Sequence, residues 1–340
     1  MQAWIYTTTT GGLEKNLHLD ASARVPPAPR GNEVIVKVLT ASLNPADYKV
    51  PELGFLVRMM LIGTPATPGM DFCGRIVSTG PLANHLKEGT LVYGFAGRPV
   101  QFGSLAEYMA VGADKICVVP DGVKIDEAAA VGATGLTAYQ SLAHVMAGDK
   151  VLINGGSGGC GVFGIQIAKA MGCHVTTTCS TRNMELCLRL GADAVIDYTA
   201  EKDLIGKLAG NMFDHVVDNV GLPSDMYYQC HRFLKEEGTF VQIGAVSMMT
   251  FVSRMCWPAF LGGGQRKYMP ITTETDLKRL GQLGEWIAEG TIKVQLDSVF
   301  DFGDAIKAFE KLRLGRARGK IVVHVSDPDA RNMESFGIGL

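Results

Sequence analysis

No run of apolar residues in this chain approaches the roughly 20 that a membrane-spanning helix needs. The nearest candidate, MMTFVSRMCWPAFLGGG, is broken by Arg254, Pro258 and glycines. The first residues, MQAWIYTTTTGG, lack the basic and apolar regions of a secretory leader and the Arg-rich character of an organelle-import peptide, so a cytoplasmic location is expected. An excess of either charge is missing too. With 32 Lys and Arg against 34 Asp and Glu, the net charge of −2 offers no footprint for nucleic acid and no polybasic patch for a membrane surface. Eight cysteines (Cys73, Cys117, Cys160, Cys173, Cys179, Cys187, Cys230 and Cys256) contain no C-x-x-C pair, which leaves neither a zinc knuckle nor a disulfide framework. There is no internal repeat. What is present is ordinary globular composition, 47% hydrophobic and 19% charged over 340 residues, long enough for about two domains, with a small molecule as the expected partner.

The first 120 residues read as β-rich: EVIVKVLTASL, DFCGRIVSTG, TLVYGF, SLAEYMAV and KICVVP are short β-type runs punctuated by Gly and Pro. From Asp126 the texture changes. EAAAVGATGLTAYQSLAHV is helix-like, and VLIN, CHVTTT, AVIDY, HVVDNV and TFVQIG then alternate with helical segments such as NMELCLRL and SDMYYQCHRFL, the βαβ pattern of a parallel sheet. Beyond Gly244 come a Met- and aromatic-rich stretch, the amphipathic TDLKRLGQLGEWIAEG, a further helix in DAIKAFEKLRLG and a last strand, GKIVVHV. Residues 326–340 read as a loosely held tail.

The most informative stretch is VLINGGSGGCG, residues 151–161. Val151, Leu152 and Ile153 suit a buried strand, and Gly156, Gly158 and Gly161 give G-x-G-x-x-G where a helix begins. Such glycines let the backbone turn sharply, and the helix that follows points unpaired N–H groups at a pyrophosphate. The same turn also serves merely to pack a helix on a sheet. After the second strand, where an NAD-binding unit would place an acid for the ribose hydroxyls, stand Cys179, Ser180, Thr181 and Arg182. Ser180, Thr181 and Arg182 can donate to a 2′-phosphate, which favours NADPH over NADH. Alternatively, Ser180 or Thr181 caps the helix near Asn183 and Arg182 is a solvated charge.

LNPADYK (43–49), TPGMDFCGRIVSTG (67–80), GLTAY (135–139), INGGSGGCGVFGIQIAK (153–169), LGADAVIDY (190–198), FDHVVDNVG (213–221) and GRARGKIVV (315–323) occur in an order and spacing that resemble the medium-chain dehydrogenase/reductase (MDR) superfamily. The similarity is to its zinc-independent quinone oxidoreductase and enone reductase side. It implies an α/β fold: a Rossmann domain with a doubly wound parallel sheet (121–270), and a GroES-like β-rich catalytic domain (1–120, completed by 271–325). Homodimers are usual in such a family, and the ligands are expected between the domains.

On this resemblance the cofactor is NADPH, bordered by Gly156, Ser157, Gly158, Gly159, Cys160 and Gly161, with Thr134 and Thr137 beside the nicotinamide half. Ser180, Arg182 and Tyr198 match positions that hold the 2′-phosphate, while Val220, Gly244, Ala245 and Val246 line the cleft. Lys320 reaches the cofactor from the second domain, or is a solvated strand-edge charge; Tyr198 has core packing as its alternative. Zinc-dependent relatives carry a Cys at the start of the segment that reads NPADYK here, and a His-Glu pair in place of Met70 and Asp71. Neither Asn44 nor Met70 suits catalytic zinc, so metal-free chemistry is expected.

The substrate is then already electrophilic, a hydrophobic enone or enoyl compound or a quinone, with a polyketide-type intermediate among the candidates. Asn44 or Tyr48 is the expected catalytic hydrogen-bond or proton donor to the carbonyl oxygen. Asn44 also has an ordinary role as a turn residue before Pro45, and Asp47 as a cap or surface carboxylate. Met248, Met249, Phe251, Met255, Trp257 and Phe260 offer either an interdomain or dimer core or a substrate wall. Two other readings remain: a non-enzymatic NADPH-binding protein, and a zinc alcohol dehydrogenase.

Overall fold

The computed structural model describes residues 1–244, 247–257 and 261–327, and the backbone of Met248 without its side chain. The expected site residues Ala245 and Val246, Phe260, and most of the expected tail lie outside the described residues.

The N-terminal part carries β1 (Ala3–Ile5), β2 (His18–Asp20), β3 (Glu33–Leu43), β4 (Asp71–Thr79), β5 (Leu91–Phe95), β6 (Tyr108–Gly112) and β7 (Ile116–Val118). Between β3 and β4 lie α1 (Pro45–Lys49) and α2 (Phe55–Val57), which runs into a π-type turn at Arg58–Ile62. Next comes α3 (Ile125–Ser141), then β8 (Lys150–Asn154), α4 (Gly159–Ala170), β9 (His174–Cys179), α5 (Met184–Arg189), β10 (Ala194–Asp197), α6 (Leu204–Leu208), β11 (Phe213–Asp218) and β12 (Leu234–Gln242). The chain continues through α7 (Met248–Cys256), β13 (Lys267–Pro270), α8 (Leu277–Ala288), β14 (Leu296–Asp301), α9 (Ala305–Arg313) and β15 (Lys320–His324).

Two large sheets result. In one, β10-β9-β8-β11-β12-β13 are all parallel, with β8 and β11 central. Such strands are covered on both faces, which is why Val151, Leu152 and Ile153 are all buried although they alternate across the sheet. The other sheet runs β14-β15-β3-β4-β5-β7, with β6 on β3. The chain's end thus rejoins its beginning: β15 pairs antiparallel with β3, setting Ile321 opposite Leu43. This is the α/β architecture expected, a Rossmann-like unit beside a GroES-like β-rich one.

Helix α3 is the hinge-pin between them. Its sequence is dominated by Ala, Gly and Thr, whose thin side chains let it bury most of its length. It packs on β3, β4 and β5 of one unit and on α4 of the other. A Cβ at Gly132 would meet the Asp71 carboxylate, so this position must stay bare. α8, within the segment expected to complete the first domain, lays Leu280, Leu283 and Ile287 into the core that α3 and α4 share.

SDMYYQCHRFL does not form the expected helix. Residues 224–229 are turns, followed by a 3-10 turn at Cys230–Arg232. Most of the local hydrogen bonds span three residues, as from Met226 N–H to the Pro223 carbonyl and from Cys230 N–H to that of Tyr227. Met226, Tyr227, Cys230 and Phe233 all enter one core at the spacing of a helical face, yet the backbone between them closes mostly in three-residue turns. The Met-rich stretch forms α7, whose Arg254 turns inward, donating to Gln242 and pairing with the buried Asp218 at 3.7 Å. Met249, Met255 and Trp257 face outward.

Candidate active site

The glycine-rich turn between β8 and α4 opens onto a cleft of about 1010 Å³ that lies along the carboxyl ends of the parallel strands. The structure divides the three fingerprint glycines between two jobs. A Cβ on Gly156 would run into the Thr177 hydroxyl, and one on Gly161 into the Gly155 carbonyl, so these two exist for close packing. Gly158 has only the Gly155 oxygen at 3.7 Å and fronts the cleft. It also caps α4, with no side chain meeting the first-turn N–H groups. Unfilled donors, a positive helix end and a bare approach fit a dinucleotide pyrophosphate.

Among the expected cofactor residues, Ser157, Gly158, Ser180, Arg182, Tyr198 and Val220 line this cleft. Tyr198 is 51% exposed, which removes core packing as its role. Thr181 also lines the cleft, but its hydroxyl is committed: it donates to Asp197 at 2.5 Å and meets the Thr199 hydroxyl at 2.8 Å. These hydroxyls hold the Asp197 carboxyl at about 2, below its ordinary range. Asn183 bridges Ser157 and Ser180 through its amide. Neither Ser180 nor Thr181 caps the following helix with its side chain.

The other expected residues stand at the inner end, between the two units. Thr134 and Thr137 are buried on α3 and donate back to the Ala130 and Ala133 carbonyls. Thr137 also meets Thr273. Gly159 faces Thr134 and the Lys320 stem; a Cβ there would lie 3.2 Å from Thr134 Cγ2 and 3.6 Å from Lys320 Cδ. Cys160 is close enough to Lys320 and Asp71 to feel both charges, and burial pushes its thiol up to about 11. Gly244 follows β12, its N–H directed to the Asp218 carbonyl at 3.2 Å.

Lys320 is not a solvated edge charge. It is 2% exposed, and its ammonium donates to Asn44 Oδ1 at 2.6 Å, the Leu43 carbonyl at 3.2 Å and Asp71 Oδ2 at 3.3 Å. Asp71 also accepts from Asn44 Nδ2 at 2.9 Å and from the Ala133 N–H of α3 at 2.8 Å. Asn44 precedes α1, where Asp47 Oδ2 accepts its backbone N–H at 2.7 Å. Asp47 is therefore a cap, but a fully buried one. Tyr48 stands apart from this group: its neighbours are Arg313, Glu14 and Glu52, and it belongs to the core of the β-rich unit. Burial raises its phenol, which makes it a poorer acid.

Residues 30–121 match the family described as Alcohol dehydrogenase GroES-like domain, and residues 190–323 that described as Zinc-binding dehydrogenase. A trans-enoyl reductase of Aspergillus terreus is 44% identical, with 96% of this chain and 97% of that protein covered. The chain belongs to the MDR superfamily. A 2-methylene-furan-3-one reductase of Solanum lycopersicum is 35% identical over 95% of this chain and 79% of its own. Among solved structures, the quinone oxidoreductase from Coxiella burnetii superposes with a TM-score of 0.84 at 32% identity, covering 96% of this chain and 99% of that one.

Within this MDR chain, sequence reasoning missed Asp71, Lys202 and Arg316. Lys202 and Arg316 join Arg182 as cations lining the cleft, against Glu201, Asp203 and Asp225. Arg316 comes from the other unit, on the GRARG loop, which is tied to the glycine turn by a hydrogen bond from Gly319 N–H to the Ser157 carbonyl at 3.1 Å. That motif was legible, but not that its loop folds over this cleft. Among the described residues no group of three or more His, Cys, Asp or Glu converges as metal ligands would. No helix among them is long and apolar enough to cross a membrane.

Proposed function

We propose that this MDR protein is an NADPH-dependent reductase that acts without zinc on the C=C bond of a hydrophobic enone or enoyl compound, or on a quinone. The observation that carries the reading is the buried Asn44 amide, held beside the glycine turn by Lys320 and Asp71. It leaves one amide N–H free for a substrate carbonyl oxygen. The positions where metal-dependent relatives carry a Cys and a His-Glu pair hold here the Asn44 amide, the Met70 thioether and the Asp71 carboxylate, the last already paired with the Lys320 ammonium.

Ser157 and Gly158 would hold the pyrophosphate, and Ser180 and Arg182 the 2′-phosphate, with no acid at the end of β9 to repel it. A bound nicotinamide supplies hydride. The chain's part is to fix the substrate oxygen, so that negative charge arriving there meets a donor already in place. The α-carbon then takes its proton from water. The likeness to a trans-enoyl reductase over nearly the whole chain supports an enoyl substrate, of which a polyketide-type intermediate is one candidate. The place of β13 at the edge of the parallel sheet among the described residues, and the outward-facing Met249, Met255 and Trp257, support a homodimer.

The test is oxidation of NADPH by the purified chain against a panel of enones, enoyl thioesters and ortho-quinones, with product mass recorded. Gain of two hydrogens across C=C is the expected outcome. Unchanged substrates throughout, with tight NADPH binding, would make the protein a non-enzymatic binder; activity lost to a chelator and restored by zinc would make it a metal dehydrogenase.

A further inference from the structure

Three oxygens converge on Lys320 Nζ, and an ammonium has three donors, so this cation is fully committed inside the protein. It cannot itself hold a substrate. Asp71 is committed as well: Oδ2 serves Lys320 and Asn44, and Oδ1 takes the Ala133 N–H. The consequence falls on Asn44. Its carbonyl oxygen is spent on a cation and one N–H on an anion. Turned over, the amide would set its oxygen against the carboxylate and its NH₂ against the ammonium, so only one orientation survives. Lys320, Asp71 and Asn44 are 2%, 0% and 4% exposed, a setting in which such charges act at close to full strength.

Burying an ion pair rarely improves stability, because desolvation costs several kcal/mol per ion and an apolar pair of similar volume often does as well. A role in orientation explains its presence better. We propose that Lys320 and Asp71 are positioning residues for the reductase reaction, locking the Asn44 amide so that it offers the substrate only a donor: its remaining N–H, polarised by the ammonium on its oxygen, donates to the substrate carbonyl oxygen. The inference rests on the reductase reading above. It assigns Lys320 to Asn44 rather than to the cofactor. It also gives α3 a part, since the Ala133 N–H fixes the carboxylate that fixes the amide.

The test uses the full chain and three variants: Asn44→Ala, Lys320→Met, and the Asp71→Asn, Lys320→Met double variant, which leaves no unpaired buried charge should the single variant fail to fold. Spectra of protein labelled with ¹⁵N at asparagine, without ligand, report the Asn44 side-chain amide, identified by its loss in Asn44→Ala. The native resonance is expected to exchange slowly with solvent, and to shift and exchange faster in the Lys320 variants. With an enone the protein reduces, kcat should fall about 10²-fold in each variant while KM and the NADPH Kd stay within about threefold, as for loss of one oxyanion donor. Adding Lys320→Met to Asn44→Ala should change kcat by less than about threefold, because the two act as a unit.

An unchanged Asn44 resonance in the double variant, or losses that multiply, would overturn the proposal. So would an unchanged kcat with a raised NADPH Kd, which would make Lys320 a cofactor residue. A native chain inactive on every substrate would overturn the reductase reading instead, and the amide resonance would still decide whether Lys320 and Asp71 hold Asn44.

Discussion

The guanidinium of Arg313 lies over the ring of Tyr48, 4.3 Å from its centroid. The same guanidinium donates to Glu14 and Glu52, joining α9 to the N-terminal segments around Tyr48. A phenol in that position is a packing surface for a cation, worth about 0.5–2 kcal/mol.

Tyr48→Phe keeps the ring and removes only the hydroxyl. Steady-state kinetics should therefore show kcat and KM within about threefold of native, where loss of a general acid would cost about 10²–10⁴. A fall in that larger range would restore Tyr48 as the proton donor.

Asp47 gives a pH signature. Its Oδ1 is buried without a partner, and burial pushes the carboxyl up to about 8 from 3.8, against the pull of the Asn44 hydrogen bond. Between those two values the folded chain holds a proton that the unfolded chain has released, so this group subtracts stability as pH rises through the window and levels off above it. Urea denaturation of Asp47→Asn should show its stability relative to native growing from about pH 5 to about pH 8. A difference independent of pH would mean Asp47 is not buried as a neutral acid.

Arg182→Ala should weaken NADPH at least about tenfold while barely moving NADH, the size of a charge-assisted bond to phosphate. Calorimetric titration with both dinucleotides reads this directly. Equal losses would remove Arg182 from the 2′-phosphate site.

Gly161→Ala would press a methyl against the Gly155 carbonyl, backbone against backbone, where no side chain can yield. The expected cost is about 1–3 kcal/mol in urea, with weakened NADPH binding. Gly158→Ala faces open space and should cost no more than about 1 kcal/mol, the difference between Gly and Ala at a helix N-cap. The reverse order would mean the two glycines exchange roles.

Much of this was legible because it is local. The run Val151–Ile153 with the glycines behind it, the short apolar runs of β11 and β15 and the amphipathic spacing of α8 are patterns a single segment carries. SDMYYQCHRFL misled because its buried residues keep the spacing of a helical face while the backbone that carries them closes in three-residue turns. Lys320 misled for a related reason. A lysine beginning an apolar strand reads as an edge charge, and its three oxygen partners come from positions 249 to 277 residues away.

The sequence by itself determined the two-unit α/β architecture, the glycine-rich turn and the superfamily, since these rest on spacing, side-chain thinness and backbone permissiveness within short stretches. Only the tertiary structure decided which polar residues meet. Folding β15 back against β3 buries an ammonium among Leu43, Asn44 and Asp71, and a charge out of water must find oxygens wherever the chain brings them.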